Sequence, residues 1–186
     1  MRFLTWASFV LAASGSAASA SSLPSVRCLD LGKFIESVPA ERIAAMAHSQ
    51  VCQTDCKIKP SDHYSAFRDF ATQFIAEETK AMGAPHLQKS YLNMFDLGFE
   101  MARDECGFDN ISSDSVCQDP SQFAAFGKCA QSKFWRVLLT NPGTVMPLLV
   151  QDNCETQLNY FQSPQFLDEK FPRFFKEYAD FCTSLN

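Results

Sequence analysis

All eight cysteines of this chain lie between Cys28 and Cys182, downstream of an apolar leader, and this arrangement limits the fold more than any other feature. The leader reads MRFLTWASFVLAASGSAASA. Arg2 supplies a positive start, Phe3 to Ala13 an apolar run, and Ala18-Ser19-Ala20 a small-x-small cleavage site, the layout of a secretory signal peptide. The apolar run is too short for a membrane anchor, which needs ~20 apolar residues. Export delivers the chain to an oxidising compartment, where an even set of cysteines pairs into disulfides. The CxxC pairs of a zinc site are missing. The expectation is a signal peptide over 1–20 and one secreted, cysteine-rich domain over 21–186. Its bridges would use Cys28, Cys52, Cys56, Cys106, Cys117, Cys129, Cys154 and Cys182, with no metal.

Removal of the leader leaves about 166 residues, enough for one domain with its own core. The chain has 16 basic and 21 acidic residues, and loss of Arg2 takes the net charge from −5 to −6. Basic residues do not cluster. Nucleic acid and anionic lipid surfaces both demand a positive footprint, so neither is an expected partner. Past the leader, no stretch is long enough to span a membrane.

Helix signals recur and strand signals do not: Asn-Gly and Asp-Gly hairpin turns are absent. Residues 37–56 read as a helix with Ser37 as cap and Pro39 in its first turn. Residues 61–82 read as another, with Ser61 as cap, a Phe67, Phe70, Phe74 and Ile75 stripe, and Gly83 and Pro85 as the stop. A third runs over 86–106, carrying Tyr91, Met94, Phe95 and Gly98 on one face, and Gly107 ends it. Residues 107–120 read as a polar loop. A helix capped by Ser121 runs to Thr140, where Asn141-Pro142-Gly143 breaks it. A short turn over 144–154 and a last helix with Pro172 at its start complete the chain. The whole reads as an all-α, compact, disulfide-stapled bundle of about six or seven helices.

Cys52 and Cys56 are four apart, which on a helix puts both thiols on one face a turn apart, so each reaches a different partner. An internal echo relates 28–56 to 129–158: Cys28 and Cys129 are each followed by a Phe, a Pro, a Met and a second cysteine at similar spacing. Either a duplicated half or chance in a cysteine-rich helical chain accounts for it.

The order Cys28, Cys52-x3-Cys56, Cys106, Cys117, Cys129 resembles the six-cysteine order of insect odorant-binding proteins, helical carriers of small apolar ligands. It departs from that family in the eleven residues between Cys117 and Cys129 and in the extra Cys154 and Cys182. That resemblance implies the pairs Cys28–Cys56, Cys52–Cys117 and Cys106–Cys129, leaving Cys154–Cys182. A second resemblance is to the elicitins and elicitin-like proteins of oomycetes, secreted helical sterol binders. Cys28-x23-Cys52 followed by Gln53-Thr54-Asp55 is similar to their opening. Asn141-Pro142, Cys154 and Phe181-Cys182-Thr183-Ser184-Leu185 are similar to their close. Both resemblances imply a helical shell around an apolar cavity.

Sixteen of the eighteen phenylalanines follow the leader. Their helical stripes suit either a filled core or the lining of a ligand cavity. The cavity candidates are Phe67, Phe70, Phe74, Met94, Phe134 and Trp135, the last being the one tryptophan outside the leader. Other chemistry is sparse. Asp62-His63 reads as an exposed first-turn pair rather than half of an acid–base couple. HExxH, GxSxG past the leader and glycine-rich phosphate loops are absent. The pairs Glu77-Glu78, Asp104-Glu105 and Asp168-Glu169 read as solvated helix surface rather than a glycosidase couple. Asn110-Ile111-Ser112 is an N-glycosylation sequon in the polar loop.

These features point to a secreted, non-enzymatic binding protein for a small apolar ligand, a lipid or sterol, without a cofactor. A second reading is an extracellular interaction module, or secreted effector, that binds a partner protein through its acidic surface. A third is a small hydrolase with an unrecognised site. A cavity lined by Phe and Met suits the first, a filled core with an exposed aromatic patch the second, and a cleft holding His63 and a carboxylate the third.

Overall fold

Proline and glycine punctuation cuts the chain into nine α-helices among the described residues, which run from 26 to 185 in this computed structural model. They are α1 (Val26–Ser37), α2 (Ala40–Val51), α3 (Tyr64–Ala81), α4 (Gln88–Cys106), α5 (Ser113–Gln118), α6 (Pro120–Thr140), α7 (Pro142–Val145), α8 (Gln151–Phe161) and α9 (Phe171–Thr183). No strand occurs among these residues, and none of the helices is long and apolar enough to cross a membrane. The leader over 1–20 lies outside the described residues.

The stops follow their chemistry. Gly107 closes α4 in the left-handed region at φ 70°, a conformation open to glycine without steric cost. Pro120 and Pro142 sit in the first turns of α6 and α7, where a missing N–H is harmless, whereas Pro172 directly follows a π-helical turn, Phe166–Lys170, from which α9 continues. Several starts differ from the sequence reading. Asp119, not Ser121, caps α6, accepting from the Ser121 N–H at 3.0 Å. Pro39 and His63, not Ser37 and Ser61, occupy the N-cap positions of α2 and α3. The loop read over 107–120 contains α5, started by a reciprocal Ser112–Ser115 capping box that a Glu/Gln search misses. The turn read over 144–154 gives way to α8, and α1 is a helix before Pro39.

Helix α2 buries an alanine face, Ala40, Ala44 and Ala47, ending in Val51. Small side chains let α6 come close. A Cβ on Gly127 of α6 would sit 3.2 Å from Ala40 Cβ, so a larger residue there would push the two helices apart by a few tenths of an ångström. Helix α9 lies against α2, α1 against α8, and α4 against both α3 and α6. The main core gathers Ala47, Phe99, Ala102, Phe108, Ile111, Val116 and Phe175.

Four disulfides tie these helices together, with no free cysteine among the described residues. Cys52–Cys117 and Cys106–Cys129 match the pairs implied by the odorant-binding order. The other two are exchanged: Cys28 joins Cys154 and Cys56 joins Cys182. The reason lies in α2, which stops at Val51 and leaves Cys56 on a non-helical segment beyond it. There Cys56 and Ile58 pack with Val51, Ala179 and Cys182. Cys28 instead faces α8 through the α1–α8 contact. The two cysteines of the 52–56 pair do reach different partners, as their spacing implies, but from the end of a helix and not from one face of it. The bridges do not repeat between 28–56 and 129–158; Cys28–Cys154 ties one segment to the other.

Candidate functional site

The phenylalanine stripes do not close completely on one another. Where α2, α3, α4, α6 and α9 meet they leave a cavity of about 480 Å³, walled by Phe67, Phe95, Phe99, Phe126, Phe134 and Phe175 among others. A second cavity of about 330 Å³ lies between α1, α4, α6 and α8, with Leu31, Phe34, Met94, Leu148 and Phe161 in its wall. Ile35, Gln131, Phe134 and Phe171 belong to both walls, so the chambers are neighbours across a thin partition. Both volumes fall within the range of about 300–1,000 Å³ that small-molecule sites occupy.

Gly98 belongs to the first wall, and a Cβ built on it would meet nothing within 4 Å. A glycine in the interior of α4 costs helix stability relative to alanine, so its position facing open space contributes room.

Polar groups are few, and their arrangement is specific. In the first chamber they are Ser112, Ser113, Gln131 and Tyr178. Ser113 donates to the Ile58 carbonyl at 3.2 Å. Burial pushes the Tyr178 phenol up to about 12, with hydrogen bonding from Ser113 working against it. In the second chamber Tyr91 donates to Gln157 Oε1, and Gln157 Nε2 donates to the carbonyls of Leu148 at 2.7 Å and Asn153 at 2.9 Å. Burial raises the Tyr91 phenol as well. Both phenols are therefore neutral at physiological pH. Among the described residues, neither wall includes Asp, Glu, Lys, Arg or His.

Of the residues singled out in the sequence, Phe67 lines the first chamber, Met94 the second and Phe134 both. Phe70 and Phe74 line neither. Helix α9 covers that part of α3, and Phe70 packs on Phe174, Tyr178 and Phe181 while Phe74 meets Phe174 edge-on at 4.9 Å. The Trp135 side chain lies outside the described residues. Ile35, Gln131 and Phe171 are wall residues that periodicity alone did not single out, while Gly98 lies on the face that periodicity assigned to it.

The remaining candidates lie apart from both chambers. Asp62 and His63 are exposed, and His63 makes no side-chain cap. Glu78 is buried and accepts from Tyr160 and, at 2.9 Å, from Arg173 Nη2, with Lys170 Nζ at 3.8 Å. This network anchors α9 on α3. Glu105 pairs with Lys133 and Arg136, and Asp168 with Arg42 at 2.8 Å. No group of three metal-ligating side chains occurs among the described residues. Asn110 is exposed at the end of a single 3-10 turn, Phe108–Asn110, while its neighbour Ile111 is buried in the first chamber's wall.

Comparison with known proteins finds no matching family, no matching curated protein and no matching solved structure. The functional reading therefore rests on the geometry of this chain.

Proposed function

We propose that this chain is a non-enzymatic binding protein for a small apolar ligand, of the lipid or sterol kind, that works outside the cell. The observation that carries the reading is the pair of adjoining chambers walled by aromatic and aliphatic side chains. Protein interiors are normally close-packed, and empty apolar volume loses contact energy at every wall atom. A cognate ligand restores those contacts and releases water from apolar surface. The leader and the four disulfides support export, and the exposed Asn110 sequon is accessible to a glycan.

The test is mass spectrometry of small molecules extracted from the disulfide-intact protein after secretion from a eukaryotic host. It is followed by titration of the delipidated protein with apolar probes, using Trp135 fluorescence. A co-purifying lipid and saturable binding are the expected results. No extracted molecule, with no saturable binding of sterol or long-chain probes in equilibrium dialysis, removes this reading.

A further inference from the structure

We infer that the two chambers form one site for a single elongated, uncharged molecule, a long-chain alcohol or similar neutral lipid, and that they exclude the corresponding carboxylate. The inference rests on the apolar-ligand reading and adds charge selection and length to it.

The charge selection comes from what the walls contain. Both chambers are partly open to solvent, so the selection acts on a headgroup seated inside, where a carboxylate loses several kcal/mol of hydration. Carriers offset that loss with an arginine, a lysine or converging N–H donors. Here the walls hold no ionisable cation among the described residues. Their polar groups are also largely engaged within the protein. Gln157 serves Leu148, Asn153 and Tyr91, and Gln131 Nε2 serves the Val38 carbonyl at 2.7 Å. What remains is the Tyr178 hydroxyl, since Ser113 gives its proton to the Ile58 carbonyl at 3.2 Å and Ser112 Oγ accepts from the Ser115 N–H at 3.1 Å. Neutral hydroxyls of this kind can exchange a hydrogen bond with an alcohol or a carbonyl, and they cannot neutralise a charge.

The length comes from the partition. Ile35, Gln131, Phe134 and Phe171 are shared by both walls, so the chambers adjoin along these four residues. Phe134 is only half-buried, and an aromatic ring turning about χ1 and χ2 is a barrier that side-chain motion can open. A hydroxyl at the Tyr178 corner with a chain running past Phe134 toward Met94 and Phe161 would fill both chambers.

The experiment is equilibrium dialysis of the delipidated, disulfide-intact protein against radiolabelled hexadecan-1-ol and hexadecanoate, at about pH 8 and about pH 5. At the higher pH the alcohol is expected to bind at least tenfold more tightly than the acid, about 1.4 kcal/mol or more. The gap should shrink at the lower pH as the acid protonates. One alcohol should bind per chain, and Phe134→Trp, which thickens the partition, should weaken hexadecan-1-ol more than octan-1-ol. Hexadecanoate binding as tightly as the alcohol at about pH 8 would overturn the charge selection and leave the apolar-ligand reading intact. Two alcohols per chain would overturn the single elongated site. Binding of neither probe would overturn both this inference and the reading beneath it.

Discussion

Gln131 donates through Nε2 to the carbonyl of Val38 at 2.7 Å, from a position in the wall of both chambers. The same amide reaches the Ile35 carbonyl at 3.4 Å. One α6 side chain thus caps the C-terminal end of α1, where helical carbonyls lack partners of their own. Gln131→Met keeps the bulk and removes the donor, so the Val38 carbonyl is left without this bond at a cost of about 1–2 kcal/mol. Thermal melting of the variant should show a clear fall. An unchanged midpoint would mean that the Cys28–Cys154 bridge and the α1–α8 packing hold α1 unaided.

Gly98 separates an open chamber from a filled core. Gly98→Ala is expected to stabilise the protein by up to about 1 kcal/mol, because helix propensity rises and the new methyl meets open space. Gly98→Leu should fold and should reduce the affinity for apolar ligands by occupying their volume. In a filled core the leucine would instead overpack at a cost of about 1–3 kcal/mol. Denaturant midpoints together with ligand titration distinguish the two.

Phe67 and Phe70 lie three residues apart on α3 and should respond differently. Either substitution to alanine removes a large ring, and the cost is about 3–5 kcal/mol for a fully buried phenylalanine and less for these half-buried ones. Only Phe67 touches a chamber. Ligand affinity, compared at a temperature where both variants are folded, should change for Phe67→Ala and hold for Phe70→Ala. Equal effects on affinity would place the ligand elsewhere.

The bridges should differ in worth. Cys56–Cys182 spans 126 positions and Cys106–Cys129 spans 23. Loop-closure entropy assigns about 5 kcal/mol to the longer and about 3 kcal/mol to the shorter. The double variant C56A/C182A should therefore melt below C106A/C129A, and full reduction should melt lowest of all. Scanning calorimetry gives the order, and a reversed order would show that local packing outweighs chain entropy here.

Acid should weaken the fold partly through Asp96. Arg68 grips this carboxylate with two hydrogen bonds of 2.8 Å and Tyr64 adds a third at 2.9 Å. The Arg68 hydrogen bonds hold its pKa below the usual carboxylate range, Tyr64 assists, and burial opposes. A depressed folded pKa means that the contribution is complete above the unfolded value of about 3.9 and is lost as pH falls through the folded value. The difference in melting temperature between the parent and Asp96→Asn should thus be steady near neutrality and shrink below about pH 4. A constant difference down to about pH 2 would show that Asp96 carries no pH-linked stability.

Much of the helical order is legible in the chain because stops are local chemistry. Gly83, Gly107 and Asn141-Pro142 end helices through backbone geometry that needs no distant partner. The chambers are harder to read. Seven residues of helix rise about 10 Å, so Phe67 and Phe74 share a face and still meet different neighbours. Periodicity gives the side of α3 on which a ring lies, and the position of α9 decides whether that ring meets space or Phe174. Gln131 gave no signal, since its role depends on carbonyls at the end of a helix nearly a hundred residues away. The exchanged bridges have the same origin. Spacing records that Cys52 and Cys56 part company, but not that α2 stops at Val51, ahead of both cysteines.

The order Cys28, Cys56, Cys154, Cys182 places the opening of the second long loop inside the first and its close outside it. A protease that cuts the backbone once, anywhere from 29 to 181, therefore severs the chain without releasing a fragment. At least one of the two bridges always straddles the cut. Such a nicked protein would run as one species without reductant and as two with it, and the walls of the chambers would keep their neighbours. Interlocked loops of this kind turn a lethal scission into a scar.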